Sequence, residues 1–262
     1  MLINLVLYFL PMFMLFFFKI HKSVLKKLDY YLFRFFWQCD DHQKKYRLAK
    51  WSILSTPKCV GGLGITNLEF QNISLLSKWL FELLYEEGMW QTILKRKYLG
   101  NKVLSQVAKK PEDSQFWKGL MDIKGFFLPR GRFIVRNGMQ SRFWEDLWVG
   151  NEPLMHQYPY LYCIARRKNK IVTHVLNPRP LNISFRRALV GDRLRLWVEL
   201  VTKIMSVELG DQDDSFIWCL TKHASFTVKS MYSDLMKIGH LPDICVAWDL
   251  KIPLKIKKFC GI

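Results

Sequence analysis

Carboxylates are scarce in this chain, and nothing groups them for chemistry. Its 262 residues carry 22 Asp and Glu against 40 Lys and Arg, a formal net charge of +18. Adjacent aspartates occur at Asp40-Asp41 and Asp213-Asp214. The first pair lies in the polar run 38–45. The second sits in the acidic turn Asp211-Gln212-Asp213-Asp214, which reads as solvated. Neither has the apolar-flanked strand-turn-strand setting, or a third carboxylate, that would hold Mg²⁺ for phosphoryl transfer. Cysteine is sparse too: the six, at 39, 59, 163, 219, 245 and 260, include no Cys-x-x-Cys spacing. That excludes a local zinc signature and a disulfide framework, and predicts buried thiols in a reducing compartment, nucleus or cytoplasm. The six histidines show no metal-ligand spacing, and no Ser-His-Asp or Cys-His arrangement can be argued. No cofactor and no metal are expected.

What the chain does hold is aromatic and basic. Ten Trp, ten Tyr and nineteen Phe, with half of all residues apolar, suffice for a packed core. Residues 1–110 carry 17 Lys/Arg against 7 Asp/Glu, and 111–262 carry 23 against 15. Both halves are therefore basic, and a chain-wide positive field attracts polyanions, nucleic acid first and anionic membrane second. Binding through the backbone, without sequence readout, is the expectation.

From Leu2 to Phe18, 15 of 17 residues are apolar, Asn4 and Pro11 being the exceptions. A bilayer needs about 20 apolar residues, with a lower limit near 17. Two readings stay open: a helix that belongs in a protein interior, which we favour, and a membrane anchor followed by Lys19, Lys22, Lys26 and Lys27.

Periodicity predicts an α+β fold, predominantly helical, with two short β-hairpins near 132–144 and 215–228. Helices are expected over 20–37, 67–87 with Asn67 as N-cap, 89–98, 116–123, 184–189, 194–207 and 229–238. Residues 100–114 read as a polar connection. Asn137-Gly138 is the turn signal of the first hairpin.

Basic groups cluster in three places. Arg130, Arg132, Arg136 and Arg142 are interleaved with Phe133, Phe143, Trp144 and Trp148. Arginine on phosphate with aromatic stacking is how single strands are gripped. The aromatics read better as core, and Arg142 has Glu145 and Asp146 within reach. Lys95-Arg96-Lys97 and Arg166-Arg167-Lys168-Asn169-Lys170 are further patches of the kind that is often only a solvated face. Gly61-Gly62-Leu63-Gly64 lacks the Lys-Ser/Thr of a phosphate loop and reads as a helix-entry loop.

Taken in order, these segments resemble plant non-LTR (LINE-type) retrotransposon reverse transcriptases. The likeness covers the region downstream of the palm up to the start of the reverse-transcriptase zinc-binding domain. It is carried by Arg34-Phe35-Phe36-Trp37, Pro57-Lys58, Gly61-Gly62-Leu63-Gly64, Asn72…Leu75-Leu76…Lys78-Trp79, Val135-Arg136-Asn137-Gly138, Arg142-Phe143-Trp144-Glu145-Asp146-Leu147-Trp148, Phe226-Thr227-Val228-Lys229 and Trp248-Asp249-Leu250-Lys251-Ile252-Pro253. The resemblance implies an apolar segment 1–19, a helical thumb-like region 20–99, a basic linker region with a hairpin 100–200, and a truncated start of the zinc-binding domain 201–262. The polymerase aspartates are missing, and the family's Cys/His cluster would lie beyond Ile262. Arg136 stands where the family's hairpin has glycine, and Phe81-Glu82 replaces a Trp-Arg. The expectation is a fragment that contacts RNA or its heteroduplex and does not itself polymerise. The alternatives are a membrane-anchored basic protein and a degenerate product without function.

Overall fold

A computed structural model describes residues 9–37, 55–57, 63–178 and 180–238. The helices in chain order are α1 (Phe9–Phe17), α2 (Lys22–Trp37), α3 (Leu68–Tyr85), α4 (Met89–Leu94), α5 (Gln115–Phe127), α6 (Leu154–Gln157), α7 (Pro159–Ile164), α8 (Val172–Leu176), α9 (Asp192–Met205) and α10 (Val228–Ile238). α4 runs on as a π-helical turn, Lys95–Leu99. Among the described residues the strands are β1 (Gly131–Ile134) and β2 (Ser215–Trp218). The fold is thus α+β and mostly helical, as its periodicity predicts. Contacts divide it into two units: Met1–Lys78 with Ser114–Leu120 and Thr227–Ile262, and Trp79–Asp113 with Met121–Phe226.

In the first unit Leu15, Leu25, Leu32, Ile65, Leu68 and Leu75 form one buried cluster. A polar side chain organises it. Asn72 is fully buried; its amide donates to the carbonyls of Leu15 (2.7 Å) and Phe18 (2.8 Å), and its oxygen accepts the N–H of Ile20 (2.9 Å). The carbonyls left open at the end of α1 are thereby satisfied from α3. Asn67 caps α3 by accepting the N–H of Phe70 at 3.1 Å, while its own N–H donates to the Tyr232 hydroxyl of α10 at 2.9 Å. Gly64, at φ +68°, places its N–H on the Thr56 carbonyl at 2.9 Å. Gly61 and Gly62 lie outside the described residues. Among the described residues no helix is long and apolar enough to cross a membrane, so the anchor reading of 2–18 gains no support; residues 2–8 lie outside them.

The second unit is built on one long-range strand pair, not on two hairpins. β1 and β2 run antiparallel, with Gly131 opposite Trp218 and Ile134 opposite Ser215. Both expected strand segments exist, but each finds the other. The physical reason lies in the turns. A tight type I′ hairpin needs positive φ at both central residues; Gly138 has it (+70°), and Asn137 does not. Behind β2 the chain turns back early, and the N–H of Trp218 meets the carbonyl of Ala224 at 3.1 Å. Phe226 then joins an aromatic core instead of a strand: it packs on Trp218 at 4.9 Å between ring centroids, and Phe127 on Trp218 at 5.4 Å. Gly131 is obligatory there, since a Cβ would stand 1.9 Å from Cζ of the buried Phe216.

Three further expectations change. Residues 184–189 are not helical: Phe185 is held in an antiparallel bridge with Ala165, and the chain bends at Arg186 and Arg187. The polar connection 100–114 buries Leu104 and Val107. The two described cysteines, Cys163 and Cys219, are exposed and not buried.

Candidate nucleic-acid interface

The arginines between 130 and 142 do not form one surface. Arg142 is drawn into a buried ion cluster. Its guanidinium meets Glu145 and, at 3.1 Å, Asp146, whose side chain is 2 % exposed. Asp146 also accepts the Arg142 N–H (2.7 Å) and the Ser105 hydroxyl (2.7 Å). Tyr162 donates its hydroxyl to Glu145 at 2.7 Å; burial, then that bond, pushes its pKa up to about 12. Beside the cluster Lys124 donates to the carbonyls of Leu104, Ser105 and Val107. Burial, helped by Arg142, lowers its pKa from the ordinary lysine value. Phe143, Trp144 and Trp148 are core, and the Trp148 indole donates to the Phe143 carbonyl at 2.8 Å. These aromatics leave no face for a base.

Arg130 bonds back to the Phe126 carbonyl, and Arg132 lies half-buried in β1. Arg136 is exposed, its guanidinium on Gln212 at 2.6 Å. Its loop is pinned from behind by Asp214, which is 6 % exposed. The turn 211–214 is solvated at Asp211, Gln212 and Asp213, as expected, but Asp214 is buried and docks it on this loop, where Asn137 donates to Asp213 at 2.8 Å. Lys95, Arg96 and Lys97 occupy the π-helical turn, where Arg96 and Lys97 are exposed and Lys97 stands 5.2 Å from the Tyr98 ring centre. In the first unit Lys78 lies 5.8 Å over Phe16; in the second Trp79 meets Trp90 edge-on at 5.2 Å.

The tract after α7 differs from all of these. Arg166, Arg167, Lys168, Asn169 and Lys170 line one concave cleft with His174 of α8. The Ala165–Phe185 bridge brings Arg186 and Arg187, both exposed, alongside. Among the described residues none of these six cations has a carboxylate partner. Sequence reading missed the Arg186-Arg187 pair because it placed 184–189 in a helix, and no local signal marks the bridge. Among the described residues no group of three or more His, Cys, Asp or Glu could hold a metal ion.

No family model matches the chain, and no solved structure matches it. Two curated proteins of Arabidopsis thaliana are similar to it. One carries the name of a ribonuclease H protein and is 26% identical over 256 residues, 91% of this chain and 39% of that protein. The other, an uncharacterized mitochondrial protein, is 24% identical over 146 residues, 55% of this chain and 94% of its own length. The chain thus spans about two fifths of the first relative.

Proposed function

We propose that this chain is a non-catalytic piece of a plant non-LTR retrotransposon reverse transcriptase, drawn from the region downstream of the palm and reaching into the start of the zinc-binding domain, and that it binds nucleic-acid backbones through basic surfaces. The observation that carries the reading is the set of cations on the second unit without a carboxylate partner among the described residues: Arg166, Arg167, Arg186 and Arg187, all exposed, with half-buried Lys168 and Lys170. Phosphate contacts of this kind give affinity without sequence readout and make it steeply salt-dependent. Similarity to a plant protein named for ribonuclease H, a nuclease acting on RNA, supports a nucleic-acid setting. The ordered motifs from Arg34 to Lys229 support the reverse-transcriptase origin.

The test is direct. The full chain should bind an RNA oligonucleotide in the presence of EDTA, with log K falling linearly in log [KCl]. Binding that ignores salt, or no binding, rejects the reading. Primer extension by the purified chain with Mg²⁺ would reject its non-catalytic half.

A further inference from the structure

The 166–170 tract lines an open, shallow cleft. Its cavity measures about 430 Å³, within the ~300–1,000 Å³ typical of ligand sites. Every lining side chain offers N–H donors, and none is acidic. No apolar side chain lines it, unlike most small-molecule pockets; the apolar part of its wall is the stems of these polar side chains. Part of this donor set is spent within the protein, Arg166 Nε on the Phe185 carbonyl and Lys170 on Asn182; the rest suits an anion with several acceptor oxygens. The planar fork of an arginine fits two phosphate oxygens at once.

The wall is also held in place before any ligand arrives. At one end the N–H of Arg166 donates to the Ser184 carbonyl (3.0 Å), and that of Arg186 to the Ile164 carbonyl (2.8 Å). At the other end the Lys170 carbonyl accepts the N–H of Phe143 (2.9 Å), and Arg142 bridges Ile171. In the middle Gln106 donates to the Asn169 carbonyl at 2.6 Å. The Lys170 ammonium is fixed by the carbonyl (2.5 Å) and side-chain oxygen (2.6 Å) of Asn182. Lys168 rests over the Tyr162 ring at 4.2 Å, and Tyr162 is itself anchored to Glu145. A strap fastened at both ends loses little freedom on binding.

We infer that this cleft is the chain's principal phosphate site, that its occupant is a phosphodiester of a polynucleotide strand, and that Arg187 extends the contact along the strand. This rests on the nucleic-acid reading above and narrows it to one place. The 130–142 arginines, which interleave with aromatics in sequence, are secondary.

The experiment is fluorescence anisotropy of the full chain with a labelled oligouridine RNA across a KCl series. One variant is Arg167→Gln/Lys168→Gln/Arg187→Gln. A charge-matched control is Arg96→Gln/Lys97→Gln/Lys102→Gln. Each lost contact to a single strand removes roughly 0.7 from the log–log slope, so the cleft variant should be shallower by about 2 and the control close to wild type. A cleft variant with the wild-type slope, or a control reduced equally, overturns the cleft while leaving nucleic-acid binding intact. Failure of the wild type to bind overturns the broader reading instead. Inorganic phosphate at matched ionic strength should displace no more RNA than chloride does; full displacement would make the site one for the free anion. A readout free of mutation is lysine acetylation of the wild type: RNA should slow labelling of Lys168 several-fold and leave Lys97 unchanged. Equal protection of both overturns the assignment.

Discussion

The carboxylate of Asp214 accepts the backbone N–H of Gly138 at 2.9 Å across 76 residues of chain. The same side chain takes the N–H of Arg136 at 2.7 Å and of Gln140 at 2.9 Å. Three backbone donors that a hairpin would have spent across a strand pair are spent on one buried acid. Hydrogen bonds to a charged acceptor contribute about 1.5–3 kcal/mol each, and a donor left buried and unmade costs more than the bond contributes. Asp214→Ala should therefore destabilise by about 3 kcal/mol or more, measured by urea unfolding. Asp213→Ala, at an exposed position, should cost under about 1 kcal/mol. Equal effects would remove Asp214 from its organising role.

The Arg142–Asp146 pair makes a second structural claim on residues that look functional in sequence. Removing one partner of a buried pair leaves the other charge uncompensated, at a cost of about 3–5 kcal/mol. Asp146→Ala should approach the lower end of that range: Glu145 still meets the Arg142 guanidinium, but the Arg142 N–H and the Ser105 hydroxyl lose their acceptor. Arg142→Gln should likewise lower the unfolding midpoint while leaving the RNA salt slope unchanged wherever the protein is folded. A shallower slope with an unchanged midpoint would put Arg142 on the nucleic acid.

Local periodicity carried most of the helices, since an apolar stripe at 3.6-residue spacing needs no knowledge of its partner. Asn67 was legible as a cap for the same reason: donor and acceptor are three residues apart. Strand partners were not legible. Gly131–Ile134 and Ser215–Trp218 each show strand character, yet their pairing is decided by Asp214 and the aromatic core, which bring together residues some 80 positions apart. The candidate site divides in the same way. Arg166 and Arg167 stand out as a run of charge, whereas Arg186 and Arg187 join them only through the Ala165–Phe185 bridge. At 130–148 the aromatics read as core and Glu145 and Asp146 stand within reach of Arg142 in sequence, whereas Ser105, 41 residues from Asp146, carried no local signal.

Tyr158 and Tyr162 contribute to the loss of stability at alkaline pH. Each donates its hydroxyl to a glutamate, Glu199 at 3.0 Å and Glu145 at 2.7 Å. Burial first, then the hydrogen bond and charge of that glutamate, push both pKa values up to about 12. An unfolded tyrosine ionises near 10. Between pH 10 and 12 the unfolded chain thus loses protons that the folded chain keeps, which favours unfolding. Stability from these two groups is complete below pH 10 and declines toward pH 12. The urea midpoint should fall over that window, and Tyr158→Phe/Tyr162→Phe should flatten the decline although it lowers stability at neutral pH. An unaltered alkaline slope in the double variant would show that other groups set it.

Ala224 is the one residue other than glycine with positive φ among the described residues, at +55°. It closes the turn after β2: its N–H donates to the Thr221 carbonyl at 3.2 Å, and its carbonyl accepts from Trp218 at 3.1 Å. Left-handed backbone costs an L-residue roughly 1–2 kcal/mol, because Cβ crowds the next carbonyl. Glycine removes that crowding but gains freedom in the unfolded chain, an opposing effect of about 0.4–1 kcal/mol. The first effect is the larger, so Ala224→Gly should stabilise by about 0.5–1 kcal/mol. Ala224→Val, with branching at the same crowded carbon, should destabilise by more than that. Chemical denaturation of the two variants decides: if glycine lowers the midpoint, the left-handed turn at 224 is not the conformation the chain adopts.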